Sequence, residues 1–177
     1  TFFSAFLLVA CATLLALIGS GSKAATRDTA YWRWLCVIFL FLAMDEDASL
    51  HELLIGPVKR ALDLPAAFLF AWALPYACAV VAIGFLYLRF VLRQRARTRL
   101  LLIISGAVYI AGTLGFELIG GWYLSRHDEM EDLYYLLLVA AEEFLEMAGS
   151  ILFIYTLLDY LSDQLQGGPL RILVRSR

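Results

Sequence analysis

Charge is scarce in this chain. Of its 177 residues, 17% are Asp, Glu, Lys or Arg, against 62% hydrophobic, and the mean hydropathy is +0.79. A soluble domain carries roughly 25% charged and 45–50% apolar residues, so the composition argues against a water-soluble fold and for a polytopic membrane protein. Histidine is scarcer still, with two, and cysteine numbers three. Cys11, Cys36 and Cys78 each sit in an apolar segment without metal-type spacing, and they are read as small buried residues with no disulfide. No basic tract alternates with aromatic residues on a polar surface, so nucleic-acid binding is not indicated. No internal repeat is found, which argues against an inverted-repeat transporter. A starting methionine is also lacking; the sequence opens at Thr1 and is apolar from Phe2, so a short N-terminal piece is expected before it.

What is present is a succession of long apolar runs. They predict an all-α integral membrane protein, a single bundle of five transmembrane helices at about 2–19, 31–54, 65–92, 99–124 and 133–161. Leu8-Val9-Ala10-Cys11 resembles a lipoprotein cleavage box, but apolar residues continue beyond it. Ala24-Ala25 would suit the end of a signal peptide, but no basic region precedes the run, so a retained helix is the better reading. Tyr31, Trp32 and Trp34 are expected as interfacial aromatics, Gly56-Pro57 is expected to end the second span, and Pro75 to kink the third. Ala107, Ala111 and Gly115 make a small-residue stripe that would let another helix approach the fourth.

The basic residues orient the bundle. Lys23, Arg27, Arg33, Arg89, Arg93, Arg95, Arg97, Arg99, Arg171, Arg175 and Arg177 fall on one side, and Lys59, Arg60 and Arg126 on the other. The positive-inside rule then places the N-terminus outside and the C-terminus in the cytoplasm, across an inner (plasma) membrane. The arginine run is read as this topology signal, in contact with lipid, and not as a catalytic patch.

Against this background the acids are out of place. Asp45, Glu46, Asp47 and Glu52 lie on the second span, Glu117 on the fourth, and Glu142, Glu143 and Glu146 on the fifth, with no Lys or Arg in those helix halves. Counted at ~1.5 Å per residue, Asp45, Glu117 and Glu142 lie roughly 13–16 Å from the outer helix ends. Asp45, Ser49 and Glu52 follow i, i+4, i+7 and share one stripe, and Asp47 and His51 share another by i, i+4. Glu142, Glu146 and Gly149 align on the fifth span, and Thr113, Glu117 and Gly121 on the fourth. Exposing such groups to lipid costs ~2.5 kcal/mol or more each, so the stripes are expected to face inward.

So many carboxylates in a low-dielectric space must be protonated, hydrated or neutralised by a cation. Carboxylates with one imidazole suit a divalent metal ion such as Fe, Mn or Zn. The candidate ligands are Asp45, His51, Glu52, Glu117, Glu142, Glu143 and Glu146, with Ser49 and Thr113 as supporting donors. The di-iron pattern is incomplete, because Glu143-Phe-Leu-Glu146 offers Glu-x-x-Glu where that chemistry uses Glu-x-x-His. Glu46 points away from Asp45 and is the weaker candidate. Asp128, Glu129, Glu131 and Asp132 read as a solvated outer loop, and Trp122, Tyr123, Tyr134 and Tyr135 as an aromatic belt.

The blocks Asp45-Glu46 with His51-Glu52, Gly115-Phe116-Glu117-Leu118-Ile119-Gly120-Gly121, and Glu142-Glu143-Phe144-Leu145-Glu146-Met147-Ala148-Gly149 together resemble a family of uncharacterised prokaryotic polytopic membrane proteins. That resemblance implies the architecture and a shared acidic site, but no reaction. Membrane hydrolases of the alkaline ceramidase type place several histidines around zinc, more than this chain has. Three functions therefore stand open: metal-assisted oxidation or hydrolysis of a lipid-soluble substrate, a non-catalytic accessory subunit docked to other membrane proteins, and a proton or cation pathway.

Overall fold

The computed structural model describes residues 2–21, 27–63, 71–127 and 132–166, and among them every element is helical. The chain runs α1 (Phe2–Gly21), α2 (Arg27–Ala48), a 3-10 segment (Leu50–Leu54), α3 (Ile55–Leu62), α4 (Ala73–Arg93), α5 (Ala96–Ile110), a π segment (Ala111–Phe116), α6 (Glu117–Arg126) and α7 (Leu133–Gln166). Three helical stretches, Phe2–Gly21, Ala73–Arg93 and Ala96–Arg126, are long and apolar enough to cross a membrane. The expected start of the third span at Pro65, the loop acids Asp128, Glu129 and Glu131, and the arginines at 171, 175 and 177 lie outside the described residues.

α1 is apolar all round. α2 and α7 pack along one side of it, burying Leu8, Cys11, Ala12 and Leu15 to 2% exposure or less, while Phe2, Phe6 and Val9 on the other side stay exposed. Cys11 Sγ donates to the Ser150 carbonyl at 3.7 Å, so this thiol bridges α1 to α7. The core then extends through Trp32, Phe90, Phe153 and Leu157. Phe39 stacks on Phe153 at 4.7 Å, and Trp32 meets the edge of Phe90 at 4.9 Å. Trp32 is 2% exposed and belongs to this core; of the three aromatics expected at the interface, only Trp34 is largely exposed. Cys11 is buried as expected, but Cys36 is half-buried and Cys78 exposed, and all three are free.

One end of the molecule is basic and internally paired. Arg93 meets Asp28 at 2.6 Å, Arg95 meets Asp163 at 2.7 Å, and Arg97 meets Asp159 at 3.1 Å while donating to the Tyr155 hydroxyl. These pairs are open to solvent and individually weak, but they join the α4–α5 turn to the start of α2 and the end of α7. The contacts put α1 antiparallel to α2 and parallel to α7, since Gly19 lies on Arg33 and Cys11 on Ser150.

Three elements depart from the reading of the sequence. The second helix starts at Arg27 and stops at Ala48, because Ser49 turns left-handed (φ 47°) and the chain tightens into the 3-10 segment. Gly56 and Pro57 are consequently inside α3, where Pro57 fills an early position that needs no amide donor. Pro75 sits in the first turn of α4 for the same reason and produces no mid-helix kink. Finally, Ala107 and Ala111 are exposed and nothing lies near Gly115, so the small-residue stripe faces away from the bundle. The close approach is made instead by Gly112 and Gly149. A Cβ on Gly112 would meet the Glu142 carbonyl oxygen and Glu146 nitrogen at 3.0 Å, and one on Gly149 would meet the Tyr109 backbone nitrogen at 2.6 Å. Gly120 and Gly121 continue α6 without a break, both buried, with Gly120 in ordinary contact with Tyr135.

Candidate functional site

The left-handed turn at Ser49 creates the first half of the site. It folds the chain back so that His51 returns to Asp45. The His51 amide donates to Asp45 Oδ1 at 2.7 Å, and its Nδ1 lies 3.2 Å from Oδ2. Asp45 is 6% exposed, and the Tyr76 hydroxyl is hydrogen-bonded to the same carboxyl group. A proton on Nδ1 is thus directed to the carboxylate, leaving Nε2 as the acceptor of the ring. The imidazole packs on Trp72, with ring centres 4.4 Å apart, and Trp72 meets the edge of Tyr76 at 5.0 Å. Trp72 is buried with Ala73 and Leu114, and its indole N–H has no hydrogen-bond partner among the described residues.

The second half lies where the π segment meets α7. A π turn adds one residue to a helix, rotating the turns after it by about 100° relative to those before it. Here it lets Gly112 lie against α7 while Thr113 and Glu117 turn to the same neighbour. Thr113 Oγ1 donates to the Tyr109 carbonyl at 3.0 Å and is hydrogen-bonded to Glu146, which is 7% exposed. Glu117 and Glu142 lie within hydrogen-bonding reach of each other. Glu46 on α2 is within electrostatic reach of both Glu146 and Tyr109, and Asp45 is within reach of Tyr109 too. Tyr109 therefore stands between the two halves.

Helix rise gives a common scale for these positions. Counted along α7 from Asp159, the partner of Arg97, Glu146 lies roughly 20 Å and Glu142 roughly 26 Å along the molecule. Glu117 lies roughly 30 Å from Arg97, and Asp45 roughly 20 Å from Trp32, whose ring touches Tyr160. The acids of α2, α6 and α7 thus gather toward the end opposite the arginines.

Of the seven candidate ligands, the structure brings together Asp45 with His51, and Glu117 with Glu142, with Glu146 held by Thr113 nearby. Glu52 is exposed, because the turn at Ser49 breaks the stripe that would have aligned it with Asp45; Asp47 is exposed as well. Glu143 is half-buried one position round α7. Among the described residues, no group of three or more His, Cys, Asp or Glu is placed to hold a metal ion. Thr113 is hydrogen-bonded to Glu146, whereas Ser49 makes no capping hydrogen bond. Glu46 is nearer the centre of the site than its helical direction suggested. Trp72, Tyr76 and Tyr109 were not signalled at all; the i, i+4 spacing of Trp72 and Tyr76 at the start of α4 was the one available hint.

A family model described as a domain of unknown function, DUF8692, matches residues 1–161. The chain belongs to this family. No curated protein and no solved structure matches it. The DUF8692 match includes both the Asp45–His51 turn and the Glu142–Glu146 turn, so the two halves of the site fall inside one family domain. Membership agrees with the resemblance to a family without an established activity.

Proposed function

We propose that this chain is an integral membrane protein crossing the inner membrane of a prokaryote five times, with a proton-holding carboxyl site near the outer leaflet. α2 and α7, with 22 and 34 residues, have the length to join the three apolar spans; their acids are what set them apart in composition. With the arginine-rich end in the cytoplasm, the acids lie in the outer half of a hydrocarbon layer ~30 Å thick.

The observation that carries the functional reading is the contact between Glu117 and Glu142. Two carboxyl groups this close repel when both are ionised, so the pair favours holding one proton between them unless a cation neutralises it. Thr113 and Tyr109 supply hydroxyls beside Glu146, and Tyr76 supplies one beside Asp45 and His51. The site is suited to taking up, storing or relaying a proton.

A divalent metal ion on Asp45, His51 and the glutamates is the competing reading, supported by the donor chemistry and weakened by the lack of a converging trio among the described residues. One preparation tests both. In protein reconstituted at neutral pH, infrared spectra should show the C=O stretch of a protonated carboxylic acid, lost in Glu117→Gln with Glu142→Gln. Absence of that band together with stoichiometric bound Fe, Mn or Zn would replace the proton reading by the metal one.

A further inference from the structure

α3 is the part of the described structure that the acid site does not use. None of its residues is buried, yet it is strongly two-faced. Ile55, Val58 and Leu62 follow i, i+3, i+7 along one face with the half-buried Lys59 at its edge, while the exposed Arg60 lies on the other. Ile55 packs against the cluster of Trp72, Ala73 and Leu114, so the helix is anchored at its start. Leu62 at its far end is 57% exposed, and Leu53 just before it is 72% exposed. The Ser49 turn and a left-handed Asp63 (φ 49°) bound the segment on either side.

The level of α3 identifies what covers those leucines. Leu114, in the same cluster as Ile55, lies roughly 26 Å from Arg97 by helix rise, so α3 begins near the outer limit of a ~30 Å hydrocarbon layer. At that end Trp122 and Tyr134 are 60% and 55% exposed, as expected of side chains at a membrane–water boundary. Exposed Leu53 and Leu62 with the exposed cation Arg60 between them form the pattern of a helix lying at that boundary.

We infer that α3 is an interfacial helix, occupied on its outer side by the phosphate-bearing lipid headgroup layer, with Leu53 and Leu62 reaching the acyl chains and Arg60 meeting phosphate. This rests on the membrane-spanning reading proposed above.

The test uses the full chain in phospholipid vesicles, with Cys36 and Cys78 replaced by alanine and the buried Cys11 retained. A fluorescent label is placed at Leu62→Cys or, separately, at Phe85→Cys on the lipid-facing side of α4, where Phe85 is 74% exposed. Lipids brominated near the headgroup should quench the label at position 62, and those brominated deep in the chain the label at position 85. Adding Arg60→Glu should lower quenching at position 62 by about two-fold or more without changing position 85. Quenching at 85 with none at 62, where aqueous iodide quenches instead, would overturn the interfacial assignment alone. No lipid quenching at either position would overturn the membrane-spanning reading on which it rests.

Discussion

Replacing Asp45 by alanine removes both acceptors that His51 uses and strands a Tyr76 hydroxyl in a site with little water. Leaving buried donors unsatisfied costs about 1–3 kcal/mol, so Asp45→Ala should destabilise the folded protein by that amount. Denaturation in mixed micelles would measure it, and a loss within error of zero would mean that the turn is held by Trp72 packing alone. At the other end of the site, Asp132 is exposed in the loop before α7, as expected of the loop acids, and it also caps that helix: Oδ1 accepts from the Tyr135 amide at 3.0 Å and Oδ2 from the Tyr123 hydroxyl at 2.6 Å. Those bonds, the Tyr123 hydroxyl first, hold its carboxyl below the ordinary value of 3.8. A depressed folded pKa means the cap contributes fully above the ordinary aspartate range and is lost as pH falls through and below it. Carboxyl-carbon NMR should place the Asp132 midpoint below that of a free aspartate, and Tyr123→Phe should move it upward; an unmoved midpoint would remove the tyrosine from the account.

At the scale of elements, the apolar periodicity of the sequence located each long helix but not the interruptions that shape the site. The break at Ser49 carries no glycine or proline, and only the return of His51 to Asp45, a contact across six residues, rewards a left-handed serine there. The π segment is likewise invisible to a pattern built on 3.6 residues per turn, although it decides which way Glu117 faces. The stripe at Ala107, Ala111 and Gly115 was legible as a packing signal but sits one face away from the contact, because facing residues on α7 determine which small residue is needed. Glycine substitutions separate the two cases. Gly149→Ala drives a Cβ into Tyr109 backbone, which cannot swing aside, so α5 and α7 must part at a cost of about 1–3 kcal/mol or more. Gly84→Ala on α4 meets open space and should be neutral or stabilising by up to about 1 kcal/mol through helix propensity. Equal effects in a detergent unfolding series would show that Tyr109 and Gly149 are not in contact.

For the whole molecule, packing bears on a question that composition left open. α1, α4 and the α5–α6 stretch are long and apolar enough to cross a membrane, whereas α2 carries Asp28, Arg33, Asp45, Glu46 and Asp47 and α7 carries Glu142, Glu143 and Glu146. Yet α1 lies between α2 and α7, touching them at Gly19–Arg33 and Cys11–Ser150, with Leu8 and Leu15 covered. If α1 crosses a bilayer, its two neighbours must cross beside it, since separating them would expose the tightest part of the core. Their acids are tolerated because they face one another and neighbouring hydroxyls; on the lipid side each would cost ~2.5 kcal/mol or more. Reporters active on only one side of the membrane should therefore alternate along the chain. Fusions after Asp63 and His127 should report outside, and those at the Gln94–Arg95 turn and after Gln166 the cytoplasm. A fusion after Gln166 that reports the same side as one after His127 would mean that α7 does not cross, and a fusion after Gly21 matching one after Asp63 would mean the same for α2. Either result would leave α1 without one of the two walls that bury it, so the bundle, and with it the shared acid site, could not exist in the membrane as folded here.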